Sequence, residues 1–354
     1  MADTSAYVRY SPSVEKAPPN ETEDIQAVAD MINAMQKAQY NNHRHAFGGT
    51  HARTQGIAKG ELTVPDDLPT HLKQSMFAQG GKYPIVIRFS SEPGDPGLDD
   101  RIAQPRGCAF KVFNINGDFL PEGQGIPTQD FEFNSTPALD LADAKTTREI
   151  IDLRIKYGSN QPELYKHLEA RKDTELQKAR DSVHNTHMES IRYYSQTAYR
   201  FGDYIAKFAL VPAGETQKRL YDEVVSKSDP SDILSEWMKS FCGSNDGEFL
   251  FQFQLCENLD DQPVEYAGKV WDAEKYPWQT VGKVVIPKQD SFNYERKTFW
   301  EDQMTVNPWH GLKTLQPLGS PNRLRKIVYP ASRSLRRKMN GRKEIHVKDI
   351  NEVP

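Results

Sequence analysis

The pattern of hydrophobic and polar positions predicts an arm and then a helix at the start of the chain. Residues 1–20 are rich in proline and polar side chains without a regular period, so we expect an extended arm. The next stretch predicts a helix, because Asn20 or Thr22 can cap it and acidic residues fill its first turn. Its apolar residues recur at three- and four-residue spacing, at Ile25, Val28, Met31, Ile32 and Met35.

The pattern then changes to short extended runs. IAKGELTV, YPIVIRFSS, GCAFKVFNING and QDFEFNS are rich in Val, Ile and Phe and are bounded by turn residues. Further along, YRFGDYIAKFALVP predicts one strand, and GEFLFQFQLCE and WQTVGKVVIPK predict two more. Such a series favours an antiparallel sheet curled into a barrel, with strands at about 56–134 and 198–288.

Helical patterns interrupt and follow these strands. Residues 138–235 are largely helical in pattern, apart from the YRFGDYIAKFALVP strand, and we place a helical insertion at about 138–195. Residues from about 290 to 354 predict loops that lead into a helix with an arginine-rich face. No linker separates two halves, so we expect an arm and helix (1–45) and one α+β domain (46–354), with a C-terminal segment that wraps around the barrel.

Composition excludes several classes of protein. The 354 residues are 37% hydrophobic, which supports a sizeable core. Lys and Arg number 45 against 49 Asp and Glu, a balance that argues against a general nucleic-acid binder. Mean hydropathy is −0.72, and no apolar run is long enough to span a membrane. Cys108, Cys242 and Cys256 are too few for a disulfide framework, and no targeting pattern is evident, so we expect a cytoplasmic protein.

Two positions are candidates for chemistry. His51 lies in a loop directly before the first predicted strand, where an imidazole can act as an acid or base near neutral pH. Tyr329 follows Arg325 by four residues, so on a helix the phenol and the guanidinium share a face. A cation beside a phenol lowers its pKa, and a phenolate oxygen binds ferric iron well. Taken alone, each is more commonly an ordinary loop His or an ordinary buried Tyr.

Their surroundings make both more specific. Three segments, in this order, resemble the catalase superfamily: THARTQGIAKGEL, PIVIRFSSEPGDPGLDDRIAQPRGCAFKVFNINGDF and NPWHGLKTLQPLGSPNRLRKIVYPASRSLRRK. The first is similar to the family's distal haem motif, and the Arg-x-x-x-Tyr-Pro of the third is similar to its proximal haem motif. The resemblance runs from about His45 to Arg337.

The resemblance implies an eight-stranded antiparallel barrel that binds haem b. It implies that His51 moves a proton between the two oxygens of a peroxide and that Ser90 hydrogen-bonds this histidine. It implies Tyr329 as the axial ligand of the haem iron, with Arg325 keeping the phenol oxygen anionic. Cationic partners for the haem propionates would be Arg88 and Arg336.

Three departures from the family pattern bear on activity. Gly48 and Gly49 occupy the place of an arginine that binds a propionate. The family's distal asparagine aligns best with Ile126 or falls in the adjacent Pro127-Thr128-Gln129. Its amide donor is therefore missing, unless Thr128 or Gln129 substitutes for it. Thr50 replaces the usual valine, as in catalase-related allene oxide synthases and other small fatty-acid-hydroperoxide enzymes, and its hydroxyl should retard a fast hydrogen peroxide cycle.

The sequence therefore predicts a haem hydroperoxidase. It would reduce hydrogen peroxide or organic hydroperoxides with a small reducing donor and show weak catalase activity. Two alternatives stay open: a fatty-acid-hydroperoxide isomerase or dehydratase, and a haem carrier or sensor without turnover. We expect a homodimer formed through the arm, and no nucleic-acid partner, since the nine basic residues between Arg323 and Lys343 fit propionate binding better.

Overall fold

The structure is a computed structural model that describes residues 6–354. Its helices are α1 (Glu21–His43), α2 (Ala144–Tyr157), α3 (Gln161–Glu169), α4 (Thr174–Asp181), α5 (Glu215–Leu220), α6 (Ile233–Ser244), α7 (Tyr294–Asp302) and α8 (Ser320–Asn340). Its strands are β1 (Arg53–Val64), β2 (Gly81–Ser91), β3 (Arg106–Phe113), β4 (Thr128–Asn134), β5 (Tyr193–Tyr194), β6 (Tyr199–Phe201), β7 (Tyr204–Pro212), β8 (Gly247–Leu255) and β9 (Trp278–Ile286).

Eight of the strands form a closed antiparallel barrel. The ring runs β1–β2–β3–β4–β5–β7–β8–β9 and returns to β1, where Leu62 pairs with Val284. The two-residue strand β5 completes it, because Asn134 pairs with Tyr194 on one side and Tyr193 pairs with Leu210 on the other. The predicted α+β class and eight-stranded barrel are confirmed.

Phenylalanine side chains fill the barrel. Phe249, Phe251 and Phe253 alternate along β8, and all three are fully buried. Phe251 meets Phe131 with ring centroids 5.0 Å apart at an interplanar angle of 80°, an edge-to-face contact. The barrel interior is therefore a packed core, and the outer face of its wall is where a site can form.

The predicted single strand in YRFGDYIAKFALVP is two strands. β6 and β7 form a hairpin whose turn contains Gly202 at φ +60°. Glycine adopts this left-handed conformation without the penalty that a Cβ brings, so the chain reverses there. The sequence run has no proline at the turn, and its single Gly-Asp pair was too weak to predict the turn.

Helices cover the outer face of the barrel. An apolar cluster joins α1, α2 and α8 through Ile25, Val28, Ala29, Ile32, Ala144, Ile151, Leu324 and Val328. α1 begins at Glu21 as predicted, although the Asn20 side chain makes no capping bond. Among residues 6–354, no helix is long and apolar enough to cross a membrane.

The predicted arm packs against its own chain where the structure describes it, while residues 1–5 lie outside the described residues. The Val8 amide donates to the Cys256 carbonyl at 2.8 Å. Arg323 of α8 forms ion pairs with Glu15 at 2.7 Å, Glu21 at 2.7 Å and Glu265 at 2.5 Å. One guanidinium thus ties the arm, α1 and a surface loop to the helix that carries Tyr329.

A buried lysine on the barrel, Lys207, provides a test of the structure. It lies on the outer side of β7, 3% exposed, with its ammonium 4.9 Å from the Trp271 ring centre, and within the described residues no carboxylate pairs with it. Burial lowers the pKa of Lys207 to about 7.

We expect Lys207→Met to raise the free energy of unfolding by about 2–4 kcal/mol at pH 6. Because the folded-state pKa is lowered, the wild-type chain loses stability as pH falls from about 10 towards 7, so the gain should be smaller at pH 9. Denaturant unfolding at both pH values measures it. Lys82→Met, at an exposed lysine, is the control and should change stability by less than about 0.5 kcal/mol. An equal gain at both pH values would contradict the buried charge.

Candidate functional site

A cavity of about 290 Å³ lies between the outer barrel wall and helices α1, α2, α7 and α8. All seven residues predicted for the site line it: Thr50, His51, Arg88, Ser90, Arg325, Tyr329 and Arg336. They come from two parts of the chain, residues 50–90 and residues 325–336, that are far apart in sequence. The structure therefore brings together the whole predicted set.

Strand register creates the wall of this cavity. Arg88, Ala109 and Glu132 lie side by side across β2, β3 and β4. The neighbouring row consists of Ser90, Gly107 and Asn134. Alternate residues of the same strands point into the phenylalanine core, so these two rows face outwards. Since β3 contributes only Gly107 and Ala109, the middle of the wall has almost no side-chain volume, and space remains above it.

His51 occupies this wall in a strained conformation. Its φ of +50° is left-handed, which is uncommon for a residue with a Cβ. Three hydrogen bonds hold it: its amide donates to the Glu92 carbonyl at 2.5 Å, its carbonyl accepts from Arg88 Nη2 at 2.7 Å, and its Nδ1 lies 3.1 Å from Ser90 Oγ. A Cβ on Gly107 would lie 2.3 Å from the imidazole, so a glycine is required beside it.

The imidazole is neutral at physiological pH. Burial lowers the pKa of His51 to about 3, and the positive charges of Arg88, Arg325 and Arg180 contribute. His51 is therefore poised to accept a proton from a bound acid rather than to hold one in the resting state.

A hydrogen-bond chain from α7 fixes Arg88. Arg88 Nε donates to Thr54 Oγ1 at 3.0 Å, and Thr54 Oγ1 donates to Glu301 Oε1 at 3.0 Å. Lys297 pairs with Glu301 at 2.7 Å. The guanidinium that bonds the His51 carbonyl is thus held through two further residues, which limits its freedom to move.

Tyr329 and Arg325 share one face of α8, as predicted, yet the phenol is not acidified. Tyr329 Oη donates to Glu132 Oε2 at 3.0 Å. Burial and the Glu132 charge raise the pKa of Tyr329 far above its ordinary value, and Arg325 only partly opposes them. Burial likewise raises the pKa of Glu132 to about 7. Arg325 does lower the phenol pKa, as expected, but burial and the Glu132 charge outweigh it, and the sequence pattern did not include Glu132.

Arg325 nevertheless keeps its charge available to the phenol. Its Nη1 donates to Asn322 Oδ1 at 3.0 Å and Thr197 Oγ1 at 3.3 Å, and both acceptors are neutral. The Tyr329 oxygen and the Glu132 carboxyl both raise the pKa of Arg325, so the guanidinium stays protonated. An oxygen donor and a cation that can stabilise its anion therefore stand together at the cavity.

Two further arginines face the cavity without an acidic partner that neutralises them. Burial lowers the pKa of Arg88 and of Arg336 to about 10. Arg336 Nε is buried and has no hydrogen-bond partner among residues 6–354. Buried guanidinium groups are costly unless paired with anions. The chemistry of this donor set fits a ligand that carries carboxylates.

The structure does not bring the predicted substitutes for the distal asparagine to the cavity. Thr128 Oγ1 accepts from Lys111 Nζ at 3.4 Å, and Gln129 Oε1 accepts from the Leu312 amide at 2.9 Å. Ile126, Thr128 and Gln129 are absent from the cavity wall, where Glu132 and Asn134 stand instead. The alternation in QDFEFNS could have identified these two residues, since they share the face opposite Phe131 and Phe133.

Comparisons with known proteins agree with the sequence motifs. The catalase family model matches residues 12–128. Catalase of Mus musculus is 23% identical over 332 residues, 86% of this chain and 58% of the mouse protein. Catalase of Latilactobacillus sakei is 22% identical over 275 residues, 74% of this chain and 49% of that protein. Catalase of Schizosaccharomyces pombe is 38% identical over 78 residues, 22% of this chain and 15% of that protein.

Solved catalases share the fold. A fungal catalase superposes with a TM-score of 0.63 at 19% identity, covering 84% of this chain and 61% of that one. Catalase A of Saccharomyces cerevisiae gives 0.61 at 17% identity, covering 84% and 63%. The chain spans less than two thirds of the length of each of these relatives. It has the catalase fold and is similar in sequence to catalases.

We expect Gly107→Ala to displace the His51 imidazole, because the new methyl group would lie within 2.3 Å of the ring and 3.2 Å of Ser90 Oγ. The change should break the His51–Ser90 bond and cost about 1–3 kcal/mol of stability. NMR of labelled histidine side chains and denaturant unfolding measure both effects. Gly243→Ala in α6, where a Cβ meets nothing within 4 Å, is the control and should lose no stability. Unchanged His51 resonances in Gly107→Ala would disprove the close approach.

Proposed function

We propose that the protein is a haem-dependent hydroperoxidase that reduces hydrogen peroxide or organic hydroperoxides at the expense of a small reducing donor. The observation that carries the proposal is that neutral His51 and the Tyr329–Arg325 pair line one cavity together with buried, uncompensated arginines. The similarity to catalases supports it.

The residues at the cavity fit haem b. Tyr329 offers an oxygen ligand for iron, and Arg88 and Arg336 offer cations for the two propionates. Arg333 also lines the cavity, and its nearest acid is Glu344 at 3.5 Å, so it is available as a third cation where Gly48 and Gly49 leave none. Apolar side chains for the macrocycle come from α1, α2 and α8: Val28, Ile32, Ile151, Leu324 and Val328.

The chain's own groups would move the proton and hold the ligand. Haem, when bound, supplies the redox chemistry that cleaves the peroxide O–O bond. His51 accepts the proton of the hydroperoxide and returns it to the departing oxygen, and its low pKa ensures that it starts as the free base. Ser90 occupies Nδ1, so Nε2 is the nitrogen that faces the substrate. Arg325 stabilises the Tyr329 anion, and Glu132 opposes it.

A second function has one observation in its favour. Thr50 lines the cavity directly before His51 and is exposed to solvent. A hydroxyl at this position beside the acid–base group favours a fatty-acid-hydroperoxide isomerase or dehydratase, because it can hold a substrate oxygen and slow turnover of hydrogen peroxide.

The haem ligand is tested by titrating the purified chain with haem and recording absorbance. We expect one haem per chain, a Soret band, and at least about tenfold weaker binding with an altered ferric spectrum in Tyr329→Phe. Tyr294→Phe, at a tyrosine that is 78% exposed, is the matched control. Glu132→Gln should bind haem at least as tightly as the wild type, since it removes the charge that opposes the anionic oxygen. An unchanged ferric spectrum in Tyr329→Phe would exclude this ligand.

The reaction is then identified on one haem-loaded preparation, by comparing oxygen release, donor oxidation and rearrangement of a fatty-acid hydroperoxide. Dominant donor oxidation supports the peroxidase, dominant rearrangement supports the isomerase, and no turnover leaves a haem carrier or sensor. His51→Gln is the reference variant, and the acid–base role requires a loss of more than about tenfold in rate.

A substitution at Thr50 distinguishes the hydroperoxidase from the fatty-acid-hydroperoxide isomerase or dehydratase. We expect Thr50→Val to raise oxygen evolution from hydrogen peroxide by about fivefold, the scale of one hydrogen bond, and to lower any rearrangement of lipid hydroperoxide. Thr147→Val is the matched control, because Thr147 also lines the cavity but its hydroxyl donates to the Asp143 carbonyl at 2.8 Å. An unchanged or lower rate of oxygen evolution would show that Thr50 is only a loop residue.

A further inference from the structure

The strained backbone of His51 depends on the chain that follows β2. The His51 amide donates to the Glu92 carbonyl at 2.5 Å, and the next amide, of Ala52, donates to the Pro93 carbonyl at 3.1 Å. The Glu92 amide in turn donates to the Pro105 carbonyl at 3.1 Å. A left-handed non-glycine residue persists only where its surroundings fix it, and residues 92–93 are those surroundings. Whatever holds Glu92 therefore also holds His51.

A cation from the helical insertion holds Glu92. Arg180 of α4 pairs with Glu92 at 3.2 Å, with Asp140 at 3.6 Å and with Asp181 at 2.8 Å. The Arg180 side chain is 17% exposed, and those of Glu92 and Asp140 are 13% and 11% exposed. Glu92 and Asp140 both line the cavity, on segments that are not adjacent in sequence. Arg180 thus forms ion pairs with two separate segments of the cavity wall.

We propose that Arg180 is a positioning residue for His51, which it reaches through Glu92. The functional consequence rests on the proposed hydroperoxidase, in which the His51 imidazole must be held in place to transfer a proton. The structural part, that Arg180 fixes the His51 backbone, stands on the hydrogen bonds and ion pairs alone.

The charges around His51 determine the direction in which the removal of Arg180 shifts the proton affinity of the imidazole. Among residues 6–354, the cations that act on it are Arg88 from β2, Arg325 from α8 and Arg180 from α4. The same cavity is also lined by Arg333 and Arg336 and by the acids Glu92, Glu132, Asp140 and Glu301. Removing Arg180 removes one positive charge and at the same time leaves the Glu92 carboxylate without its ion pair. Both changes favour the imidazolium form, so the proton affinity of His51 must rise.

The test uses the full chain and the variant Arg180→Gln. Hydrogen exchange of the His51 amide reports the bond to the Glu92 carbonyl, and we expect exchange at least about tenfold faster in the variant. NMR titration of labelled histidines, assigned with His51→Gln, should move the His51 midpoint upwards by about one pH unit or more, a tenfold gain in proton affinity. In the haem-loaded enzyme, the acid limb of the rate profile should move in the same direction.

Three variants make the outcome specific. Arg154→Gln is the matched control, because Arg154 pairs with Asp140 at 2.7 Å and not with Glu92, so exchange and titration of His51 should not change. Arg180→Lys keeps the charge and should restore most of the titration. Glu92→Gln weakens the same pair, so adding it to Arg180→Gln should not speed exchange of the His51 amide further if Arg180 acts through Glu92.

The failures of the two proposals are distinguishable. A chain that binds no haem but shows faster exchange in Arg180→Gln supports the positioning role and overturns the hydroperoxidase. Unchanged exchange and titration of His51 in a folded Arg180→Gln overturn the positioning role, whatever the enzyme does. If Arg180→Gln does not fold, Glu92→Gln takes its place under the exchange criterion alone, and exchange no faster than in Arg154→Gln then overturns the proposal.

Discussion

The site depends on one steric constraint, the near absence of side-chain volume on the outer face of β3 at Gly107 and Ala109. Gly107 and Ala109 face outwards there, between Ser90 and Arg88 of β2 and Asn134 and Glu132 of β4. A Cβ at Gly107 alone would collide with the His51 ring. The inner face of the same strand is filled by Cys108 and Phe110, so the barrel keeps its core while its wall leaves space outside. Because a strand alternates its faces, one sequence satisfies both demands.

Charge is the second constraint, because burial disfavours the charged form of the ionisable groups that line the cavity. Burial lowers the pKa of His51 and raises the pKa of Tyr329, so both are neutral in this structure. The arginines cannot lose their charge in the same way, and Arg88 and Arg336 remain cationic inside the wall. Among the described residues, Arg88 and Arg336 form no ion pair with an acid, so the cavity favours a ligand that carries carboxylates.

The sequence predicted those elements and residues that a local pattern or a family motif can identify. Seven predicted strand segments, α1 and α8 follow from short-range periodicity, and the seven residues expected at the site follow from motifs such as Arg-x-x-x-Tyr-Pro. Strand β5 was not predicted, because Tyr193–Tyr194 lies within the expected helical insertion. Glu132 was missed because its importance comes from a contact with Tyr329, 197 residues away. The β6–β7 hairpin was missed because a single glycine carries its turn. Local patterns predict elements and their faces, while long-range contacts decide which groups oppose each other.

The two sides of the cavity are held by different means, and this difference explains what the helices add. On the His51 side, backbone hydrogen bonds and the wall fix the ring, and the insertion reaches it through the ion pair between Arg180 and Glu92. On the Tyr329 side, a single helix carries both the oxygen and Arg325, and Arg323 anchors that helix to the arm and α1. The barrel wall and the helical insertion together therefore hold the His51 half of the site. The Tyr329 half exists only because α8 is clamped against the wall, so the arm and α1 contribute to the cavity without supplying its reactive groups.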